Sequence, residues 1–186
     1  MTHPVAIDEV IAFWMKAGPR KWFDHNPAFD EVIRERFGPL HFSASRGERL
    51  DWDQTPEGAL ALLLLLDQFP RNLFRGSAHA FATDPMARAV AERALDAGFD
   101  QRMSPELRPF FHLPFTHSER PEDQNRSVAL AQMHRDACGD ESTLKWALIH
   151  SDIIARFERF PHRNTALGRT TTPEEQSFLD EGGFAG

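Results

Sequence analysis

Thr55-Pro56-Glu57-Gly58-Ala59-Leu60-Ala61-Leu62-Leu63-Leu64-Leu65-Leu66-Asp67-Gln68-Phe69-Pro70 decides the fold. A capping hydroxyl followed by proline is how a helix starts, because proline has no N–H to leave unsatisfied in the first turn. Leucine lacks the β-branching that strands favour, so the run reads as helix. A helix apolar on every side is buried on every side, which puts residues 56–69 at the centre of a core. Pro70 then stops the run, and Arg71 and Asn72 follow it.

Outward from this helix the same punctuation repeats. Asn26-Pro27, Asp84-Pro85, Ser104-Pro105 and Thr172-Pro173 all pair a capping residue with proline, and each predicts a helix start. Thr172 with Glu175 adds a capping box. Phe29, Val32, Ile33 and Phe37 recur at helical spacing, and Gly38-Pro39 is expected to end that segment. Residues 4–17 read as an amphipathic helix through Val10, Ile11 and Trp14. Residues 85–97 do so through Ala87, Val90, Ala91 and Ala94. From Pro121 to Cys138 a polar start leads into Val128, Leu130, Ala131 and Met133. Residues 142–160 carry Trp146, Ile149, Ile153, Phe157 and Phe160 on one face. No Asn-Gly or Asp-Gly sits between alternating runs to mark a hairpin. The expectation is an all-α chain of eight or nine antiparallel helices, forming one domain over residues 1–186.

Composition bounds the function. The chain has 186 residues, a net charge of −7, 16 Phe, 4 Trp, no Tyr and a single cysteine, Cys138. Its acidity argues against nucleic acid and anionic membranes as partners. The lone cysteine excludes an internal disulfide and fits a reducing cytoplasm. Ala59–Leu66 is far too short to span a bilayer. Against this acidic background, residues 156–169 carry four arginines and Glu158 alone as an acid.

That basic stretch contains a near copy of the phrase that ends the leucine run. Asp67-Gln68-Phe69-Pro70-Arg71-Asn72 is answered by Glu158-Arg159-Phe160-Pro161-His162-Arg163-Asn164. Proline and asparagine suit a helix end, and arginine complements its dipole. Asp67 is the exception, since a carboxylate closing a buried apolar helix needs a cation; Arg71, Arg75 and Arg163 are the candidates. Thr116-His117-Ser118-Glu119 offers a hydroxyl, a base and an acid, with Ser118 or Glu119 also placed to cap the helix at Pro121. His150 lies beside an apolar helix face, where a bond to a backbone carbonyl is its ordinary role. No zinc spacing, Rossmann glycine pattern or P-loop occurs, so neither metal nor cofactor is expected.

These motifs, with Phe81 and Asp84, Leu113-Pro114-Phe115-Thr116-His117-Ser118-Glu119 and Gly168-Arg169, closely resemble the bacterial domain of unknown function 924 family. The resemblance runs from Phe13-Trp14 to Phe178-Leu179. It implies a tetratricopeptide-like helical array and carries no activity with it. Where the family motif reads Gly-Arg-Phe-Pro-His-Arg-Asn, this chain has Glu158 in place of the glycine.

The functional expectation is a polar cleft that binds an anionic small molecule or a peptide carboxylate. Its candidate ligand-binding residues are Asp67, Gln68, Arg71, Asn72, Arg75, Arg159, His162, Arg163, Asn164 and Arg169, because arginine recognises planar anions bidentately. An enzyme is the alternative, with His117 or His150 as general acid or base, Glu119 or Asp67 orienting it, and arginines stabilising developing charge. A protein-binding adaptor is the third.

Overall fold

The computed structural model describes residues 3–185 and, among them, helices and no strands. The α-helices are His3–Ala17, Pro19–Trp22, Pro27–Ser45, a continuous run over 56–73, Asp84–Asp96, Leu113–Thr116, Pro121–Cys138, Glu141–Phe157 and Pro173–Asp180. Short 3-10 turns fill several of the connections. Among the described residues no helix is long and apolar enough to cross a membrane.

The chain divides into two compact units, Met1–Arg75 with His79–Pro114, and Gly76–Ala78 with Phe115–Gly186. In the first, Ala59 to Leu66 are at most 1% exposed, as the all-round apolarity requires. Aromatic side chains pack about them. Trp14 stacks on Trp22 at 6.0 Å, Trp22 Nε1 donates to the Trp14 carbonyl at 2.7 Å, and Phe13 lies 4.9 Å from Phe37 and 5.5 Å from Phe29. Ring pairs at these separations add to the area they bury.

In the second unit Ala131, Leu144 and Ala147 form one apolar cluster, and Ile153, Ile154 and Phe160 another. The Pro121–Cys138 helix leaves Met133 64% exposed, and Trp146 is 46% exposed, so neither sits in the core as the periodicity suggests. The capping box at Thr172 is present, with Glu175 N donating to Thr172 Oγ1 at 3.2 Å and Thr172 N to Glu175 Oε2 at 2.7 Å.

Two prolines read as stops are passed through. The helix beginning at Pro27 continues across Pro39 to Ser45. Pro39 and Glu35 are both exposed, so the carbonyl left without its N–H partner faces water. The leucine helix likewise continues across Pro70 to Leu73, but through a π-helical turn at Leu64–Gln68 in which Phe69 N bonds to the Leu64 carbonyl. Proline at position 70 offers no N–H to the carbonyls four and five residues before it. Both are covered from elsewhere: Thr83 Oγ1 donates to Leu66 O at 2.6 Å, and His41 Nδ1 donates to Leu65 O at 2.8 Å. Burial pushes the His41 imidazole below its ordinary pKa, partly offset by that hydrogen bond, which keeps it a neutral Nδ1–H donor. Finally, Ser104-Pro105 starts only a turn, with Leu107 N and Arg108 N both bonded to Ser104 O.

Candidate functional site

The first Phe-Pro phrase lies in the first unit, and the π-turn sets its geometry. Asp67 is 1% exposed and accepts a short hydrogen bond from Gln68 Nε2. Arg71 is the cation it needs: Arg71 Nη1 lies 3.3 Å from Asp67 Oδ1 and donates to the Asp67 carbonyl at 2.5 Å. The same guanidinium grips Asp84 with both ends, at 3.0 and 3.1 Å. Asp84 therefore serves Arg71 rather than capping its own helix, whose N-cap is Thr83. Asn72 Nδ2 donates to Asp30 Oδ1 at 2.7 Å, and Arg75 holds both Asp30 oxygens at 2.6 and 3.1 Å. Asp30 sits in the first turn of its helix, where the dipole also favours a carboxylate.

The second phrase repeats the pattern in the second unit with its own acids. Arg159 forks onto Glu175 at 2.5 and 2.8 Å and also donates to the Thr170 carbonyl. Asn164, fully buried, donates to Glu175 Oε2 at 3.1 Å. Thus Glu175 serves Arg159 and Asn164 as Asp30 serves Arg75 and Asn72. Arg169 forks onto Glu119 at 2.9 and 2.8 Å, and Glu119 Oε1 also accepts from Phe160 N at 2.9 Å. Arg163, 6% exposed, donates to the His117 carbonyl at 2.9 Å and stacks 4.5 Å above the Phe160 ring.

These pairings set the charges. The Arg159 fork holds the Glu175 carboxyl down to about 2 against the opposing effect of burial, with help from Thr172 N–H and Asn164. Burial raises Glu119, but the Arg169 fork, the Phe160 N–H and the charges of Arg163 and Arg169 together carry it below its ordinary value. Both acids are therefore ionised at neutral pH. Arg159 and Arg169 are linked through the backbone, because Arg159 Nη2 donates at 2.9 Å to the carbonyl of Thr170, the residue after Arg169. Their side chains remain 29% and 31% exposed.

His117, His150 and His162 are connected through ring contacts. His150 Nδ1 donates to the Trp146 carbonyl at 2.8 Å, the bond expected of a core histidine, and its ring centre lies 6.2 Å from that of His117. His150 and His162 each contact Phe160, at 5.4 and 5.6 Å, and each contacts Phe184, at 4.6 and 5.1 Å. Ser118, next to His117, donates to Asp123 at 2.6 Å, while Gln124 Nε2 gathers the carbonyls of Phe115, Thr116 and Ser118. Among the described residues no group of three or more His, Cys, Asp or Glu is arranged to hold a metal ion.

The structure thus places Asp67, Gln68, Arg71, Asn72 and Arg75 in the first unit's network. His117, Glu119, His150, Arg159, His162, Arg163, Asn164 and Arg169 fall in the second. Asp30, Asp84 and Glu175, the anchors of these arginines, are absent from the residues that sequence reasoning singled out as a site. Glu175 shows in the sequence as half of a capping box and Asp84 as a helix start. Neither signal points to an arginine, because each pairing joins segments separated in the chain.

Comparison with known proteins agrees with the fold and leaves the chemistry to the geometry. No curated protein matches the chain. A solved structure of a protein of unknown function from Agrobacterium tumefaciens is 49% identical, covers 98% of this chain and 100% of its own, and superposes with a TM-score of 0.91. The sequence pattern of the family described as bacterial protein of unknown function (DUF924) matches residues 10–183, so the chain belongs to that family.

Proposed function

We propose that the second unit is an anion-binding module of the cytoplasm, built into a tetratricopeptide-like helical array, and that Arg159 and Arg169 make the primary contact. One observation carries this reading: two part-exposed guanidiniums, linked through the Thr170 carbonyl beside Arg169, are each held in place by a carboxylate fork. An anion at this surface would meet donors already oriented by the forks, which lowers the entropic cost of binding. Asn164 joins this network through Glu175, and Arg163 and His162 join it through Phe160, whose N–H is given to Glu119. Asp67, Gln68, Arg71, Asn72 and Arg75 then serve as its structural counterpart, with Asp84 and Asp30 holding their cations.

Binding is favoured over catalysis by the way the acid is used. In a triad-type arrangement a carboxylate orients the histidine base and stabilises the imidazolium that forms. Glu119, the nearest candidate in sequence, is engaged by Arg169 and by Phe160 N–H. His150 Nδ1 is directed at the Trp146 carbonyl. The test is a thermal-shift series with inorganic phosphate, sulfate and acetate. A ligand present at 100 times its dissociation constant should raise the midpoint by about 5–11 °C for a chain of this size. No shift with any of the three at high concentration would contradict the reading.

A further inference from the structure

Phe184 is part-buried and packs, beyond the end of the final helix, against the cluster of Ile153, Ile154 and Phe160. After Asp180 the backbone turns through Gly182, whose φ of +83° is left-handed, and Gly183 N bonds back to Phe178 O at 2.9 Å. At Gly183 the chain runs so close to Phe178 that an added Cβ would lie 2.5 Å from the Phe178 carbonyl and 2.6 Å from its ring. The turn is therefore fitted to glycine. Its effect is to lay Phe184 across His150 at 4.6 Å, His162 at 5.1 Å and Trp146 at 5.8 Å. His150 and His162 both rest on Phe160, and Phe160 lies under Arg163 and gives its N–H to Glu119. An aromatic ring thus sits in an aromatic seat joined through Phe160 to the arginine network, at the end of a turn of two glycines.

We propose that Phe184 is an internal occupant of an aromatic subsite, and that the ligand of the second unit is an aromatic anion, a phenyl-bearing carboxylate or phosphate whose ring displaces Phe184. This rests on the anion reading above and adds its apolar half. The seat supplies π-faces and edges from Trp146, His150 and His162, which favour an aromatic ring over an aliphatic chain. Arg159 and Arg169 supply the cationic half, which receives the ligand's carboxylate or phosphate. Phe184, only part-buried, competes with the ligand and so weakens binding in the intact chain.

The test compares wild type, Phe184→Ala and Gly183→Ala, each titrated with 3-phenylpropionate, inorganic phosphate and benzyl alcohol by calorimetry or ligand-observed NMR. Emptying the seat should tighten 3-phenylpropionate about tenfold, the scale expected for burying one aromatic ring. Gly183→Ala, which pushes the turn off Phe178 and keeps the phenyl group, should give a gain in the same direction. It also stands in if Phe184→Ala folds poorly. Phosphate, which does not use the seat, should bind all three equally. Equal or weaker 3-phenylpropionate binding in both variants overturns the subsite while leaving the anion reading intact. If phosphate binds none of the proteins, the anion reading falls by itself. The subsite then stands only if benzyl alcohol gains on removal of Phe184, and is overturned if it does not.

Discussion

Thr83 Oγ1 donates to the Leu66 carbonyl at 2.6 Å, covering an acceptor that Pro70 cannot serve. Both groups are buried, so the hydrogen bond has no water to replace it. Thr83→Val keeps the shape and removes the donor. It should cost about 1–3 kcal/mol, the scale for leaving a buried polar group unsatisfied, read as a lower denaturation midpoint with an unchanged slope. An unchanged midpoint would mean that the π-turn does not depend on Thr83.

Glu158 is, among the described residues, the only non-glycine with positive φ, at +59°. It caps the Glu141–Phe157 helix in the left-handed conformation, where glycine carries no Cβ penalty. Glycine would meet this backbone conformation without strain, whereas the glutamate carries the Cβ penalty. Glu158→Gly should raise stability by about 1 kcal/mol. A loss of stability would show that the Glu158 side chain has a compensating role.

These two positions show what the sequence could and could not carry. Cap-plus-proline pairs at Asn26, Thr55 and Thr172 are local, and each is a side-chain cap in the structure. The central leucine helix followed from apolarity alone. Pro70 misled because its consequences are met by Thr83 and His41, residues from other segments that no local pattern announces. Asp84 misled for the same reason: its carboxylate had a better partner in Arg71 than in its own helix. The arginines of the two phrases were legible as charge, and their anchors were not.

Acid should loosen the second unit in a defined window. The folded Glu175 carboxyl titrates near 2, below the ordinary value of 4.5. A depressed carboxylate contributes stability that is complete above the ordinary value and is lost as pH falls toward the folded one. Glu119, also depressed, acts in the same direction. The thermal midpoint should therefore drop between about pH 4.5 and 2, and Glu175→Gln should flatten that drop while lowering the midpoint at pH 7. A variant with the wild-type acid profile would remove Glu175 from the account.

Thr172→Ala removes the hydroxyl from the capping box and should cost about 0.5–2 kcal/mol. Phe178 packs on Phe157 at 5.1 Å, so the final helix is docked and the loss should register in global unfolding. Fast amide exchange over 173–180 in the wild type, with a silent substitution, would contradict that docking.

The anion site is tested most directly by calorimetric titration of inorganic phosphate into the wild-type chain, Arg169→Gln and Arg169→Lys, with circular dichroism confirming that each is folded. The account predicts measurable binding to wild type and loss of about tenfold or more in Arg169→Gln, the scale for removing a charge-assisted fork. Arg169→Lys should fall between them, because lysine keeps the charge and loses the planar fork. Equal phosphate affinity in all three proteins, or none in the wild type, would contradict it.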